Sequence, residues 1–289
     1  MAIVATTGFF DGVHPGHRQV LSALVQAART SGGESLVVTF WPHPRTVLQQ
    51  DAAQLKLLTS IEEKKELLLG AGVDRVEVIP FSRELSSMTA CEYIRDVLKG
   101  GLGVSTLVAG YDNRLGCDHL QQEDLREVVE SLGMEYVPVK RLEGPSVSST
   151  LIRRTIADGD VEQTAVLLGR LYSLRGVVVT GNKIGRTMGF PTANLALYEP
   201  LKAVPANGVY KTSVSILGRS FTGLTNIGLR PTVGKNSAIT IETHILDFDE
   251  DIYGLPMEVS FISRIRDERS FPSLEELKEQ IEADIETVR

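Results

Sequence analysis

The chain is poor in the residues that would mark a secreted, membrane-bound or nucleic-acid-binding protein. Only Cys91 and Cys117 occur in its 289 residues. With no Cys-x-x-Cys pair and no Asn-x-Ser/Thr sequon, neither a disulfide framework nor a structural zinc site is expected. Positive charge is scarce as well: 30 Lys and Arg against 37 Asp and Glu leave a formal charge of −7. That balance is the wrong sign for a protein that neutralises nucleic-acid phosphates with clustered basic residues, so any phosphate site must be local. No run approaches the ~20 apolar residues of a membrane span, and the opening stretch has no basic segment ahead of its apolar residues. A cytoplasmic protein is the expectation. Histidine is limited to His14, His17, His43, His119 and His244, and only the first two stand close enough to read as a unit.

What is present is ordinary for a folded enzyme: 42% hydrophobic and 23% charged residues, far from the composition of disorder. At roughly 100–200 residues per domain, the length predicts two domains. Apolar runs at 3–9, 35–40, 75–80, 105–109 and 135–139 alternate with helical patterns at 18–30, 61–69, 90–99 and 123–132. That rhythm predicts a parallel, doubly wound, Rossmann-like domain over residues 1–158. A helical connector at 159–174 follows. Beyond it, β-rich segments at 177–180, 208–217, 220–227, 239–247 and 257–265 succeed one another across Gly, Pro and Asn turns. Strands without crossover helices predict an antiparallel β-barrel over 159–289, closed by a helix at 273–287 whose Leu274, Leu277, Ile281 and Ile285 form one stripe.

Two segments carry chemistry. The first apolar run leads into GFFDGVHPGH, which places His14 and His17 in the first strand-to-helix turn. Ligands of open α/β sheets bind there, and a helix N-terminus favours an anion. Gly8, Phe9, Asp11, Gly12 and Gly16 are candidate nucleotide contacts, and two imidazoles three residues apart can donate to one phosphate as charge builds on it. A plain tight turn with surface histidines and a zinc pair are the competing readings. The second segment, 181–195, contains Gly181, Lys183, Gly185, Arg186 and Gly189 ahead of Phe190-Pro191-Thr192-Ala193-Asn194. Glycines and cations at this spacing suit a flap over phosphates, although the string is not a Walker A loop.

Both segments resemble those of the bifunctional riboflavin kinase/FMN adenylyltransferase family. HPGH is similar to the HxGH signature of nucleotidyltransferases, and the wider GFFDGVHPGH, the TFWPHPR string at 39–45, Leu58-Thr59-Ser60 with Glu63-Lys64, Gly110-Tyr111-Asp112 and Val147-Ser148-Ser149-Thr150 with Arg153 resemble FAD synthetases. GFPTANL, NGVY at 207–210, NIGLRPT at 226–232 and the strand around Glu242 resemble riboflavin kinases. The resemblance implies that Asp112, Ser149, Thr150 and Arg153 hold nucleotide. It also implies that Thr192 coordinates Mg²⁺, Asn194 supports the phosphate site, and Glu242 accepts the riboflavin hydroxyl proton. On period two alone, Glu242, His244 and Asp247 cannot share one face, which leaves an exposed carboxylate as the competing reading of Glu242.

Arg264 and Arg266 either steer FMN or ADP or are solvated strand-end cations. Trp41 and His43 either stack on flavin or pack against their own domain. Substrates and products are ATP, riboflavin, FMN and FAD; no nucleic-acid or membrane partner is implied, and nothing in the sequence sets an oligomeric state. At 113–122 the chain departs from the family, because Asn113 and Leu115 stand where FAD synthetases carry aromatics and no basic, glycine-containing loop follows. A riboflavin kinase with an impaired adenylyltransferase domain is therefore the alternative reading.

Overall fold

The computed structural model describes residues 1–48, 55–111, 113–140, 147–181, 185, 188–230 and 238–289. It divides into two compact units, Met1–Ser149 and Thr150–Arg289. The division falls at the first turn of a helix, whereas the sequence reading drew the boundary after that helix.

In the first unit, β1 (Ile3–Thr7), α1 (Pro15–Ser31), β2 (Glu34–Trp41), α2 (Pro44–Leu48), α3 (Ile61–Gly70) and β3 (Arg75–Pro80) come in chain order. They are followed by α4 (Arg83–Ser87), α5 (Ala90–Glu92) with its π-helical continuation Tyr93–Gly101, β4 (Val104–Ala109), α6 (Gln122–Ser131) and β5 (Glu135–Pro138). The strands pair in parallel in the order β3-β2-β1-β4-β5. Because alternate residues of a strand point to opposite faces, Ala5, Leu36, Val38 and Leu107 join one buried cluster with Ile94, Leu98 and Leu125. Their neighbours Val4, Val37 and Val108 join the other, with Leu21, Leu24 and Leu68. Both faces are covered, which is why these strands read as continuous apolar runs. The strand order reverses between β1 and β4, so the crevice beyond the carboxyl ends of those strands is the natural ligand site. β1 stops at Thr7 rather than Phe9, since the following turn requires positive φ at Phe10, Gly12 and Val13.

The second unit opens with α7 (Ser149–Asp158), which begins in the first unit, and α8 (Val161–Leu168). The strands are β6 (Tyr172–Val179), β7 (Ala193–Leu197), β8 (Gly208–Ile216), β9 (Arg219–Arg230), β10 (Ala238–Ile245) and β11 (Pro256–Arg266), and α9 (Leu274–Val288) ends the chain. The strands close into a barrel in the order β10-β7-β6-β11-β8-β9, all antiparallel. Two expectations need correction. The connector at 159–174 is helical only as far as Leu168, because Gly169 takes a left-handed φ of 68° that caps α8, and β6 starts at Tyr172. β7 was not anticipated as a strand: Ala193, Asn194 and Leu195 are all buried, so they show no period-two alternation.

Inside the barrel, Thr212, Thr225 and Thr243 are each 0% exposed and form a hydroxyl chain across β8, β9 and β10. Thr225 Oγ1 lies 2.9 Å from each of the other two hydroxyls, and Thr212 Oγ1 donates to the Gly223 carbonyl at 3.1 Å. A buried hydroxyl without a partner costs about 1–3 kcal/mol. Thr225→Val keeps the shape but removes the central hydroxyl, and is expected to destabilise the barrel by about 1–2 kcal/mol in urea denaturation followed by a barrel-specific probe. An unchanged midpoint would show that the chain adds nothing to barrel stability.

Candidate active sites

At the end of β1 the backbone turns through Phe10 (φ 50°), Gly12 (φ 85°) and Val13 (φ 40°). A left-handed φ is costly for a non-glycine residue, about 1–3 kcal/mol each, and persists only where the surroundings hold it. Here the surroundings do so, since Phe10 and Val13 are 6% and 1% exposed and the Val13 N–H donates to the Phe10 carbonyl at 3.1 Å. Asp11, buried between them, accepts from the Leu58 N–H, the Thr59 N–H and the Thr59 hydroxyl at 3.0–3.1 Å. Thr59 Oγ1 in turn accepts from the Gly12 N–H at 3.2 Å, and Ser149 Oγ donates to the Asp11 carbonyl at 2.9 Å. Two segments distant in sequence, at Leu58-Thr59 and at Ser149, are thereby tied to one turn.

His14 is the N-cap of α1, with Pro15 at the first helical position, so the helix starts at the turn. The His14 and His17 rings stack with centroids 3.7 Å apart and 18° between planes, and the edge of Phe10 meets His17 at 5.3 Å. A Cβ at Gly16 would stand 3.3 Å from His14 Nδ1 and Cε1, so glycine leaves room for the imidazole. Burial holds the His17 pKa well below the ordinary imidazole value, with His14 and Lys64 adding to the effect, and its Nδ1 has no hydrogen-bond partner. At neutral pH it is therefore an uncharged donor or acceptor. Gly8 sits against the Phe10 ring, and Phe9 packs against His43 at 4.0 Å, edge to face. His43 Nδ1 also accepts from the Arg45 N–H at 3.0 Å, so this ring is engaged within its own domain. Among the described residues no three His, Cys, Asp or Glu side chains are grouped to hold a metal.

Thr150 and Arg153 follow Ser149 on α7, within the second unit. Asp112, Lys183 and Arg186 lie outside the described residues. In the divergent segment, Leu115 is 8% exposed and belongs to the core cluster around Ile94 and Leu125. The Cys117 N–H donates to the Met88 carbonyl at 2.9 Å, and Asp118 Oδ1 accepts from the Ala90 N–H at 3.0 Å. Leu115 is thus a packing position rather than a surface left bare by a missing aromatic. Asn113 remains near the turn, with Nδ2 donating to the Thr7 carbonyl at 3.4 Å.

In the barrel, β10 sets Glu242 opposite Asn194 of β7 on one side and Asn226 of β9 on the other. The Thr192 hydroxyl donates to Glu242 Oε2 at 3.4 Å. A Cβ at Gly181 would fall 2.2 Å from Asn194 Nδ2, so the backbone there can approach the amide only as glycine. Gly185 bonds to the Met188 and Phe190 N–H groups, and Gly189 turns with φ 92°. A cavity of about 550 Å³ is lined by the polar Thr192, Asn226, Glu242 and His244 and by the apolar Met188, Phe190, Leu224, Leu277 and Ile281. Arg266 also lines it, held by Nε and Nη2 bonds of 2.8–3.1 Å to Asp284, a carboxylate 3% exposed on α9. Arg264 is placed elsewhere: it donates to the Asn207 and Asp158 carbonyls at 2.8 and 3.1 Å and pairs with Asp267. A second cavity of about 330 Å³ shares Thr192 and runs along Phe248, Asp249 and Tyr253.

Sequence reasoning passed over Thr59, Lys64, Asn226, His244 and Asp284 as site residues. The first two had a signal, the Ser60-x-x-Glu63 capping box that starts α3, in which each residue's side chain accepts from the other's N–H. Asn226 and His244 had none, because barrel register decides which strand positions meet.

The chain matches the sequence model of FAD synthetase over residues 1–151 and that of riboflavin kinase over 168–289. It is 39% identical to a bifunctional riboflavin kinase/FMN adenylyltransferase of Pseudomonas fluorescens, covering 99% of this chain and 92% of that one. The Bacillus subtilis protein of the same name is 35% identical, with 97% and 90% covered. A crystal structure described as a macrolide-efflux protein from Streptococcus pneumoniae is 34% identical and superposes on the chain with a TM-score of 0.92, covering 100% of this chain and 94% of that one. No helix among the described residues is long and apolar enough to cross a membrane. Both domain models in tandem, and relatives that share the whole length, show that the chain belongs to the bifunctional riboflavin kinase/FMN adenylyltransferase family.

Proposed function

We propose that this chain makes FAD in two steps, phosphorylating riboflavin with ATP to give FMN and then adenylylating FMN with ATP to give FAD and pyrophosphate. The observation that carries this reading is the presence in one chain of two separate sites, a histidine-lined turn at a helix N-terminus and a Thr192–Glu242 pair lining a largely apolar cavity. The kinase-only reading has lost its ground, because the FAD synthetase match runs through segment 113–122 and Leu115 there is a core residue. A cytoplasmic location suits the substrates, since ATP is consumed in both steps.

In the kinase reaction the apolar wall of the larger cavity takes the flavin ring, and the ribityl chain points its terminal hydroxyl at Glu242. Glu242 accepts the hydroxyl proton as the γ-phosphoryl group is transferred directly, without a phosphoenzyme. Thr192 lines both cavities, which supports a reading with the nucleotide in the smaller one and the phosphoryl group between. The Thr192 hydroxyl is a hard oxygen donor of the kind Mg²⁺ accepts alongside phosphate oxygens and water. A magnesium ion held there would supply charge neutralisation to the transferring phosphates. Asn194, opposite Glu242, supports the phosphate site.

In the adenylyl transfer the FMN phosphate attacks the α-phosphorus of ATP and pyrophosphate leaves, with no covalent enzyme intermediate. His14 and His17 stabilise the charge that develops on the transferring phosphate, and the α1 N-terminus contributes its dipole. Gly8, Phe9, Asp11, Gly12 and Gly16 shape the turn, and Ser149, Thr150 and Arg153 hold phosphates from α7.

Incubation with riboflavin and MgATP, resolved by chromatography, tests the whole reading: FMN and FAD should both form, and failure to form either would sink it. Glu242→Gln is expected to lower FMN formation by about 10²–10⁴-fold while supplied FMN is still converted to FAD. Full kinase activity in that folded variant would remove Glu242 as the base. The double variant His14→Ala, His17→Ala should cut FAD formation and pyrophosphate release by roughly 10²-fold or more while FMN accumulates. FAD synthesis within a few-fold of the parent would refute the histidine assignment.

A further inference from the structure

Behind the histidine turn lies a buried charge that the reaction as described does not use. Lys64, in the first turn of α3, is 0% exposed, and its ammonium sits 3.5 Å from the centroid of the Phe9 ring. Its Nζ has no hydrogen-bond acceptor. The nearest candidate, the Asp11 carboxylate, is already occupied by Leu58 and Thr59 donors, and Glu63 beside it closes the capping box with Ser60. Three donors without an acceptor are costly to bury, and a methionine or leucine would fill the same space without that cost. The charge is therefore retained for something that arrives.

We propose that Lys64 is a positioning residue for adenylyl transfer, its ammonium drawing the nucleotide phosphates into the turn and acting through Phe9 and Asp11, which it holds in place. The proposal rests on the adenylyl-transfer reading above. The titratable groups that face Lys64 are the Asp11 carboxylate on the turn and the uncharged His17 ring on α1, with His14 stacked on His17. Burial pulls the Lys64 pKa down to about 8, against the opposing pull of Asp11. A lysine depressed in this way is charged at neutral pH and loses its charge as pH rises through about 8. Phosphate capture that depends on it must fall over the same range. For stability the sign is opposite: the unfolded chain holds the proton more tightly, so the buried charge weakens the fold at neutral pH, and the cost fades as pH rises.

The test measures kcat/KM for ATP in FAD formation from supplied FMN between pH 6.5 and 10, with FMN formation as the control for the other domain. The parent protein must first make FAD; if it does not, the adenylyl-transfer reading fails and Lys64 fails with it. If it does, Lys64→Met is expected to raise KM for ATP roughly tenfold, the size of one unit-charge interaction across about 10 Å at a protein surface. It should also abolish the alkaline fall near pH 8, leave FMN formation unchanged, and melt no lower than the parent. Lys64→Arg keeps its charge throughout and should retain ATP capture while losing the same alkaline fall, which keeps the test decisive if the methionine variant does not fold. An alkaline fall near pH 8 that persists in either folded variant, or an unchanged KM in Lys64→Met, overturns the proposal.

Discussion

A carboxylate with 3% of its surface exposed is stable only when its oxygens are filled, and those of Asp11 are filled by the Leu58 and Thr59 amides and the Thr59 hydroxyl. Everything in the first site hangs on that attachment. It clamps the start of α3 against the turn after β1, and the clamp holds Phe10 and Val13 in a backbone conformation they would leave if free. The strained turn in turn delivers His14 to the N-terminus of α1, within stacking distance of His17. The same clamp brings Lys64 beneath Phe9. Phosphate chemistry needs donors that are already in place before charge develops, because reorganising them during the reaction would cost what they gain.

The second site is organised differently. The position of Glu242 follows from the antiparallel register that sets β10 between β7 and β9. Closure of the barrel removes free edges, so that register has little room to slip. The threonine chain at 0% exposure lies on the same strands and adds directional bonds where apolar packing alone has no preference for one register. α9 completes the cavity, and the Arg266–Asp284 pair ties it to β11 beside the opening. The chain thus contains one site preorganised by electrostatics and another by sheet geometry, in keeping with an adenylyl transfer that needs no base and a kinase step that needs one.

Much of this was legible beforehand. The parallel sheet could be read from apolar runs alternating with helical stripes, since a sheet covered on both faces demands them. HPGH after the first strand and PTAN at the start of β7 stand out because glycine, proline and paired histidines in sequence are local signals. What was not legible has a common cause. β7 carries no period-two alternation to announce it, since Ala193, Asn194 and Leu195 are all buried, and Arg264, open to reading as a ligand contact or a solvated cation, binds the Asn207 and Asp158 carbonyls. Leu115, which departs from the family's aromatic, is a core residue.

The sequence by itself determined the fold class and, through motifs that resemble those of a known family, the two activities, because periodicity and short motifs are properties of neighbours along the chain. Only the tertiary structure decided that Thr59 anchors Asp11, that Thr192 reaches Glu242, that Asn226 and His244 share its cavity, and that Lys64 is buried without an acceptor. Those are relations between residues on different elements or on neighbouring positions whose facing the register sets. Register, burial and chain closure set them, and these depend on how whole elements pack rather than on any local run of side chains.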